Sequence, residues 1–240
     1  MGIYRSAIKL GLLLVAVSAT AVGVYNYRGQ YSIEADLQRE HEKTTELQQI
    51  VQRLGAERRV ADVIVTDQQS VSGTLHTTIL FVEYRPDGTS IPAKRFTIDG
   101  NMIHLDAMVV KFDGKFVEQN DPLRGHSVAL FTRLYGDSQA PSGAFHVDEP
   151  GQVPEIYRDT DPIVSRFEHG LWENFWRLAD EANYREAMGV RVAQGEGLWR
   201  PFEPGRLYTI TLESSGGLNI RSEPLKGIYQ EALKAVGTAR

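Results

Sequence analysis

The chain of 240 residues contains no cysteine. This absence excludes disulfide bonds, cysteine-ligated zinc, iron–sulfur clusters and thiol catalysis. The chain also lacks any run of Lys and Arg, and its formal net charge is −5. Because Arg5, Lys9 and Arg28 contribute +3 within the first 28 residues, the remainder carries −8. A domain with that charge is a poor binder of nucleic acid, since affinity for nucleic acid comes largely from neutralised phosphates.

Patterns that carry chemistry are also scarce. The sequence has no glycine-rich phosphate loop, and its histidines show no metal-site spacing. The six are His41, His76, His104, His126, His146 and His169. The stretch GHSVA at residues 125–129 matches a hydrolase nucleophile elbow only superficially, because polar residues precede Ser127 and strand-like residues follow it. We therefore predict no cofactor, no metal and no enzymatic activity, and interpret Ser127 as part of a turn that enters a strand.

The N-terminal region has two interpretations. Arg5 and Lys9 precede an apolar run from residue 10 to residue 25. This run is either a signal peptide cleaved at Ala19-Thr20-Ala21 or a transmembrane anchor over residues 7–27. The apolar character continues past the cleavage pattern into an aromatic and basic belt, which favours the anchor. The predicted anchor residues are Leu10, Leu12, Leu13, Leu14, Val15, Val22, Val24, Tyr25 and Tyr27. Residues 1–6 are then a cytoplasmic tail.

A heptad pattern follows the apolar run and predicts a coiled-coil stalk over residues 31–58. Apolar residues recur in steps of four and three among charged and amide side chains. The predicted interface consists of Ile33, Leu37, Leu47, Val51 and Leu54. Glu40 and Thr44 fall in the same seam and weaken it. A solvated helix lying against its own domain is the alternative.

Residues 60–240 are predicted to form one extracytoplasmic domain. Alternating apolar and polar residues indicate five or six mostly antiparallel strands up to about residue 135, with Asp113-Gly114 as a hairpin turn. Asp161-Pro162 then begins a long amphipathic helix that ends near Gly189. Further strands and a short C-terminal amphipathic helix complete the domain. The predicted fold class is α+β: an N-terminal transmembrane helix and coiled-coil stalk, followed by a mainly antiparallel β domain with one long packed helix.

The clustering of tryptophan is the one feature that a hydrophobic core alone does not explain. Trp172, Trp176 and Trp199 lie within a short part of the chain, together with Phe175 and Phe202. Tryptophan that one helix face cannot bury marks a partner surface or a ligand surface. We predict these three tryptophans as a partner surface, with Trp176 and Trp199 as the exposed pair.

These observations favour a non-catalytic structural or assembly subunit. It would be anchored by a single span in the cytoplasmic membrane and would present its head outside the cytoplasm, in the periplasm. The expected partners are the membrane and either further copies of the chain or other envelope proteins, and no nucleic acid. The alternatives are a ligand-binding module with an aromatic pocket between the long helix and the sheet, and a secreted hydrolase.

Overall fold

The computed structural model describes residues 18, 20, 37–148, 155–157, 162–227 and 231. The chain divides into two compact units, Met1–Val51 and Gln52–Arg240. Helix α1 is described over residues 37–54.

Helix α1 carries most of the predicted coiled-coil interface, and the side chains of that interface are exposed or partly exposed. Leu37, Leu47 and Val51 are exposed, Leu54 is partly exposed, and Ile33 lies outside the described residues. The prediction of a coiled-coil stalk is therefore wrong. The physical reason lies in the seam itself, where Glu40 and Thr44 interrupt the apolar stripe, and Thr44 donates its hydroxyl hydrogen to the Glu40 carbonyl of its own helix.

The membrane prediction also has to be corrected. Apart from Ser18 and Thr20, the predicted anchor over residues 7–27 lies outside the described residues. Every helix in the described part of the chain is too short or too polar to cross a bilayer. The predicted single-pass architecture, and with it the location in the cytoplasmic membrane with a periplasmic head, is therefore not supported by any described helix.

Nine strands form two antiparallel sheets in the described part of the second unit. Their bounds are β1 Glu57–Val71, β2 Thr74–Glu83, β3 Lys94–Asp99, β4 Met102–Phe112, β5 Val128–Gly136, β6 Phe145–His146, β7 Val190–Pro201, β8 Arg206–Glu213 and β9 Leu218–Pro224. Sheet 1 has the order β3-β2-β1-β8-β9, and sheet 2 has the order β6-β5-β4-β7. All neighbouring strands run antiparallel.

The main core lies between the two sheets. Alternate residues of each strand point inward, as the two-residue period of a strand requires. Val63 and Phe81 of sheet 1 pack in one cluster with Leu105 and Phe131 of sheet 2. The rings of Phe81 and Phe131 meet edge to face, with centroids 5.4 Å apart. The sheets therefore bury each other, in the manner of a β-sandwich.

In the second unit, the helices whose two ends are both described are short. They are α2 Gly114–Glu118, α3 Pro162–Glu173, α4 Phe175–Asp180 and α5 Ala182–Ala187, with 3₁₀ turns at Pro141–Gly143 and Glu155–Tyr157. The predicted long helix is thus three helices. Asn174 breaks it first, since its side-chain amide donates to the Gly170 carbonyl and competes with the helical backbone. Glu181 breaks it again by adopting extended backbone angles.

The predicted α+β fold class is wrong for this reason. The fold is mainly antiparallel β, two sheets with a few short helices. The partner of each sheet is the other sheet and not one long helix. The predicted hairpin turn at Asp113-Gly114 is also wrong, since helix α2 begins there. Most of the predicted C-terminal helix lies outside the described residues.

Candidate functional site

The outer face of sheet 2, which points away from sheet 1, is covered over only half its length. On β4 this face carries the even-numbered residues, whose odd-numbered neighbours belong to the core between the sheets. Val110 and Phe112 lie under the helices, where they pack against Leu171, Phe175 and Leu178. Met108 packs with Leu130, Ile156 and Trp172. Among the residues that the structure describes, the helices end there and leave the rest of the face open.

Two rows of side chains occupy this open half. The aromatic row consists of Trp199 on β7, His104 on β4 and Tyr135 on β5, which are in direct register. The rings of His104 and Tyr135 stack with centroids 5.0 Å apart and planes 8° apart. Residues in register across an antiparallel sheet point to the same face, so the three rings form one line across the strands.

The ion-pair row lies two residues further along the same strands. It consists of Gly197, Asp106 and Arg133, again in register. Arg133 donates from Nε at 3.1 Å and from Nη2 at 2.7 Å, both to Oδ2 of Asp106. The two charges of this pair neutralise each other.

A β-bulge places Arg133 and Tyr135 on this face. In β4, Asp106 and Ala107 are consecutive, but their partners in β5 are Arg133 and Phe131. Thr132 is therefore an extra residue in β5, and its hydroxyl donates to the Asp106 carbonyl at 3.1 Å. If Thr132 occupied a regular paired position instead, the alternation set by Val128 and Leu130 would turn Arg133 and Tyr135 inward. The bulge exchanges the two faces for the second half of β5.

The tryptophans are split between two surfaces. Trp199 is 66% exposed and Trp176 is 73% exposed, whereas Trp172 is partly buried under the helices. Trp172 and Trp176 both contact the ring of Phe175. Trp199 lies nine residues along β7 from Val190, which packs in the same cluster as Phe175. That separation is roughly 30 Å along an extended strand. Whether any of the three meets a partner stays a prediction.

The outer face of β7 next to Trp199 carries no side chain at two positions. Gly195 and Gly197 precede it on the outer face of β7, and a Cβ atom built at Gly195 would meet nothing within 4 Å. On the other face of β7, a small cleft lies at the edge of the core between the sheets, with Leu105, Leu198, Phe202 and Ile210 in its lining. Its free volume is about 10 Å³, room for about one water molecule. The open half therefore offers a surface, and this cleft is too small for a ligand.

The other sequence candidates do not form a site. Ser127 is buried, and its hydroxyl donates to the Ser214 carbonyl at 2.9 Å. His76 lies on sheet 1, where its Nδ1 is 2.7 Å from Asp99 Oδ1, and is on a different sheet from His104. Among the described residues, no group of three or more His, Asp or Glu side chains is arranged to hold a metal ion.

Two buried carboxyl groups have strongly shifted pKa values. Burial, and then the charge of Asp148, raises the pKa of Glu83 to about 7. Lys94 Nζ lies 3.5 Å from Glu83 but only 3.0 Å from Asp148, so the pairing favours Asp148. Burial also raises the pKa of Glu168 to about 7, against the opposing effect of Arg58. Both residues are 2% exposed, so they link stability to pH and do not face a substrate.

Burial has the opposite effect on His126, whose pKa falls to about 4, with the charge of Arg58 as the second cause. The imidazole is therefore neutral at physiological pH. A neutral, largely buried histidine fits a structural position better than a proton-transfer role.

Four residues of the open half were missed in the sequence analysis: His104, Asp106, Arg133 and Tyr135. The sequence of β4 carried a signal for two of them. Its outward positions are polar at His104 and Asp106 and then apolar at Met108 and Val110. That change marks the point where the covering helices end. The Arg133 and Tyr135 positions depend on the bulge, which has no signature in the sequence.

Comparison of the chain with protein-family models, with characterised proteins and with solved structures finds no match in any of the three.

Proposed function

We propose that the β-sandwich is a non-catalytic assembly domain that binds a partner protein through the open half of sheet 2. The observation that carries this proposal is Trp199, an indole 66% exposed at the end of an aromatic row that the covering helices leave free. Burying this ring against a partner would contribute favourably to the free energy of binding, because in the isolated chain the ring stays exposed to water.

The composition of the open half supports a protein partner. Trp, Tyr and Arg are the residues most enriched among those that dominate binding energy in protein interfaces. Trp199, Tyr135 and Arg133 all point to this one face. Their backbone positions belong to paired strands, so the surface is ordered before binding and pays little entropy to form an interface.

We assign no reaction to the domain, because the carboxyl groups with strongly shifted pKa values lie in its interior. Glu83 and Glu168, the carboxyl groups with pKa values near 7, are both buried. Asp106, a carboxylate of the open half, is paired with Arg133 through its Oδ2. We assign binding to this surface because it displays rings and a neutralised ion pair.

The ligand-binding alternative has less support. The aromatic pocket was expected between a long helix and the sheet. In that region the helix is broken, and Trp172 packs against Met108 and Leu130. The space between helices and sheet is thus filled by side chains of the chain itself.

The test compares partners retained by the tagged full-length chain and by two variants in cells of the source organism. Trp199→Ala removes the exposed ring of the open half, and Trp176→Ala removes an equally exposed ring from helix α4. We expect proteins that co-purify with the parent chain and with Trp176→Ala to be depleted about tenfold or more by Trp199→Ala. Equal recovery with all three chains, or equal depletion by both variants, would contradict the proposal.

A further inference from the structure

We infer that the outer face of sheet 1 is a homodimer interface, at which a second copy of the chain packs face to face. This face belongs to the other sheet from the open half, so the dimer is independent of the proposed function. It is indicated by one row of side chains across the strands whose two ends carry opposite charges.

The middle of the row is apolar. Ile64 on β1 is in register with Leu80 on β2 and with Leu207 on β8. Their chain neighbours Val63 and Tyr208 belong to the core between the sheets, so the side chains of the row point outward. All three are partly exposed, and none packs in a hydrophobic cluster of the described residues. The row is therefore apolar surface that no described element covers.

The two ends of the row are charged. Leu80 is in register with Arg95 on β3, and Leu207 is in register with Glu223 on β9. Both charged side chains are exposed, and neither forms an ion pair with another described residue. Because β3 and β9 are opposite edges of the sheet, the two charges are four strand spacings apart, roughly 19 Å. They are too far apart to neutralise each other within one chain.

A two-fold axis pairs these charges between two copies. When the axis runs parallel to the strands and over Ile64, β2 of one copy faces β8 of the other, and β3 faces β9. Each Arg95 then meets Glu223 of the second copy, and each Leu80 meets a Leu207. An axis across the strands would place Arg95 against Arg95. The charges therefore select the first axis, which gives the aligned packing of two sheets.

The other charged side chains on the strands of this face are compatible with that arrangement, with one exception. Those with a partner in the same chain are Arg59 with Asp62, Arg221 with Glu57, His76 with Asp99 and Glu213 with Asn219. The exception is Asp67, which is exposed and in register with Thr78 on the same face. It lies close to the axis, so the Asp67 side chains of the two copies approach each other and weaken the dimer.

A second copy fits this row better than an unrelated partner of one charge. Each copy supplies both the cation and the anion, so complementary pairs form at both edges of the interface, with a continuous apolar contact between them. A purely acidic or purely basic partner would satisfy one edge and oppose the other. Because the apolar row is short, we expect a weak dimer with a micromolar dissociation constant.

The experiment measures this dissociation constant by sedimentation velocity of the purified full-length chain, from about 1 μM to about 200 μM. Arg95→Glu and Glu223→Arg each place like charges at both edges of the interface and should weaken the dimer about tenfold or more. The double variant Arg95→Glu/Glu223→Arg restores opposite charges and should return to within about threefold of the parent chain. Glu118→Arg reverses an exposed carboxylate on helix α2 and is the matched control, which should have no effect.

Asp67→Asn removes the repulsion near the axis and should strengthen the dimer about threefold or more. The inference is overturned by a parent chain that stays monomeric at the highest concentration, by single reversals that act no more strongly than Glu118→Arg, by a double variant that does not recover, or by an Asp67→Asn dimer that is no stronger. Circular dichroism of each variant checks that the sheets are intact. A complex formed through this face contains two copies of the chain and does not depend on Trp199, which distinguishes it from a partner protein bound at the open half.

Discussion

Arg133 donates two hydrogen bonds to the same carboxylate oxygen of Asp106, from Nε at 3.1 Å and from Nη2 at 2.7 Å. Both side chains have access to solvent, with 45% of Arg133 and 25% of Asp106 exposed. Solvent screens such a pair, and pairs of this kind contribute about 0–1 kcal/mol to folding. Its main effect is local, because each charge neutralises the other on the open half.

We predict that a double-mutant cycle of Asp106→Asn and Arg133→Gln gives a coupling energy below about 1 kcal/mol in urea unfolding. The reason is the solvent access of both groups. A coupling energy above about 2 kcal/mol would contradict this, because it would show that the pair holds the sheet together.

Deletion of Thr132 should be tolerated, because Thr132 is the residue of β5 that has no partner in β4. The deletion joins Phe131 directly to Arg133 and restores regular alternation, with Phe131 and Leu134 inward and Arg133 and Tyr135 outward. We expect the deletion variant to keep cooperative thermal unfolding. Thr132→Ala removes only the hydrogen bond to the Asp106 carbonyl and should cost about 0.5–1.5 kcal/mol. Loss of cooperative unfolding in the deletion variant would show that Thr132 is not simply an extra residue in the register.

The two sides of sheet 2 should respond differently to loss of a ring. Phe131 is buried between the sheets, and Phe131→Ala should destabilise the fold by about 3–5 kcal/mol. Trp199→Ala removes an exposed ring and should change stability by no more than about 0.5 kcal/mol. Urea denaturation measures both. A large destabilisation by Trp199→Ala would indicate that the indole serves the fold and not a partner.

Glu83 should make the fold less stable as pH rises from about 5 to about 8. Its pKa is raised from 4.5 in an ordinary environment to about 7 in the folded chain, so the folded state binds a proton that the unfolded state has released. The stabilisation is present below pH 4.5 and is lost as pH rises through 7, with a total on the order of 3 kcal/mol. Glu83→Gln cannot titrate, so its melting temperature should rise relative to that of the parent chain as pH increases.

Two other buried groups also make the stability of the fold depend on pH. Glu168 acts in the same direction as Glu83, since its pKa is also raised to about 7. His126 acts in the opposite direction, because its lowered pKa leaves the unfolded state with the extra proton between about pH 4 and 6.5. Both groups are present in the parent chain and in Glu83→Gln, so the difference between the two chains isolates Glu83. A difference in melting temperature that stays constant from pH 5 to pH 8 would contradict the assignment.

The strands of sheet 1 could be predicted better than the helices. Alternation in the run from Thr74 to Glu83 reflects a strand that is buried on one face, and the structure has β2 there. The prediction of one long helix was wrong because the spacing of apolar residues shows which face is apolar but not where the helix is interrupted. Asn174 and Glu181 break it through local hydrogen bonding and backbone angles, which the apolar pattern does not show. The predicted α+β fold class was wrong for the same reason. It packed one long helix against the sheet, whereas the structure packs a second sheet there.

The candidate site was predictable only in part. Tryptophan content pointed to Trp199, because one helix face cannot bury all three tryptophans. Its neighbours in the row come from β4 and β5, more than 60 residues earlier in the chain, and only the register of sheet 2 brings them together. That register depends on a single extra residue, Thr132, whose role no local pattern reveals.

The central claim is that the open half of sheet 2 is the surface that meets a partner. Site-specific photo-cross-linking in cells of the source organism tests it most directly, with benzoylphenylalanine at Tyr135 in one chain and at Thr78 in another. Thr78 is a matched control because it lies on the outer face of sheet 1, where its hydroxyl hydrogen-bonds to Thr97. The account predicts a discrete protein adduct at Tyr135 that disappears with Trp199→Ala, and no such adduct at Thr78. An adduct at Thr78 alone, or one at Tyr135 that does not depend on Trp199, would contradict it.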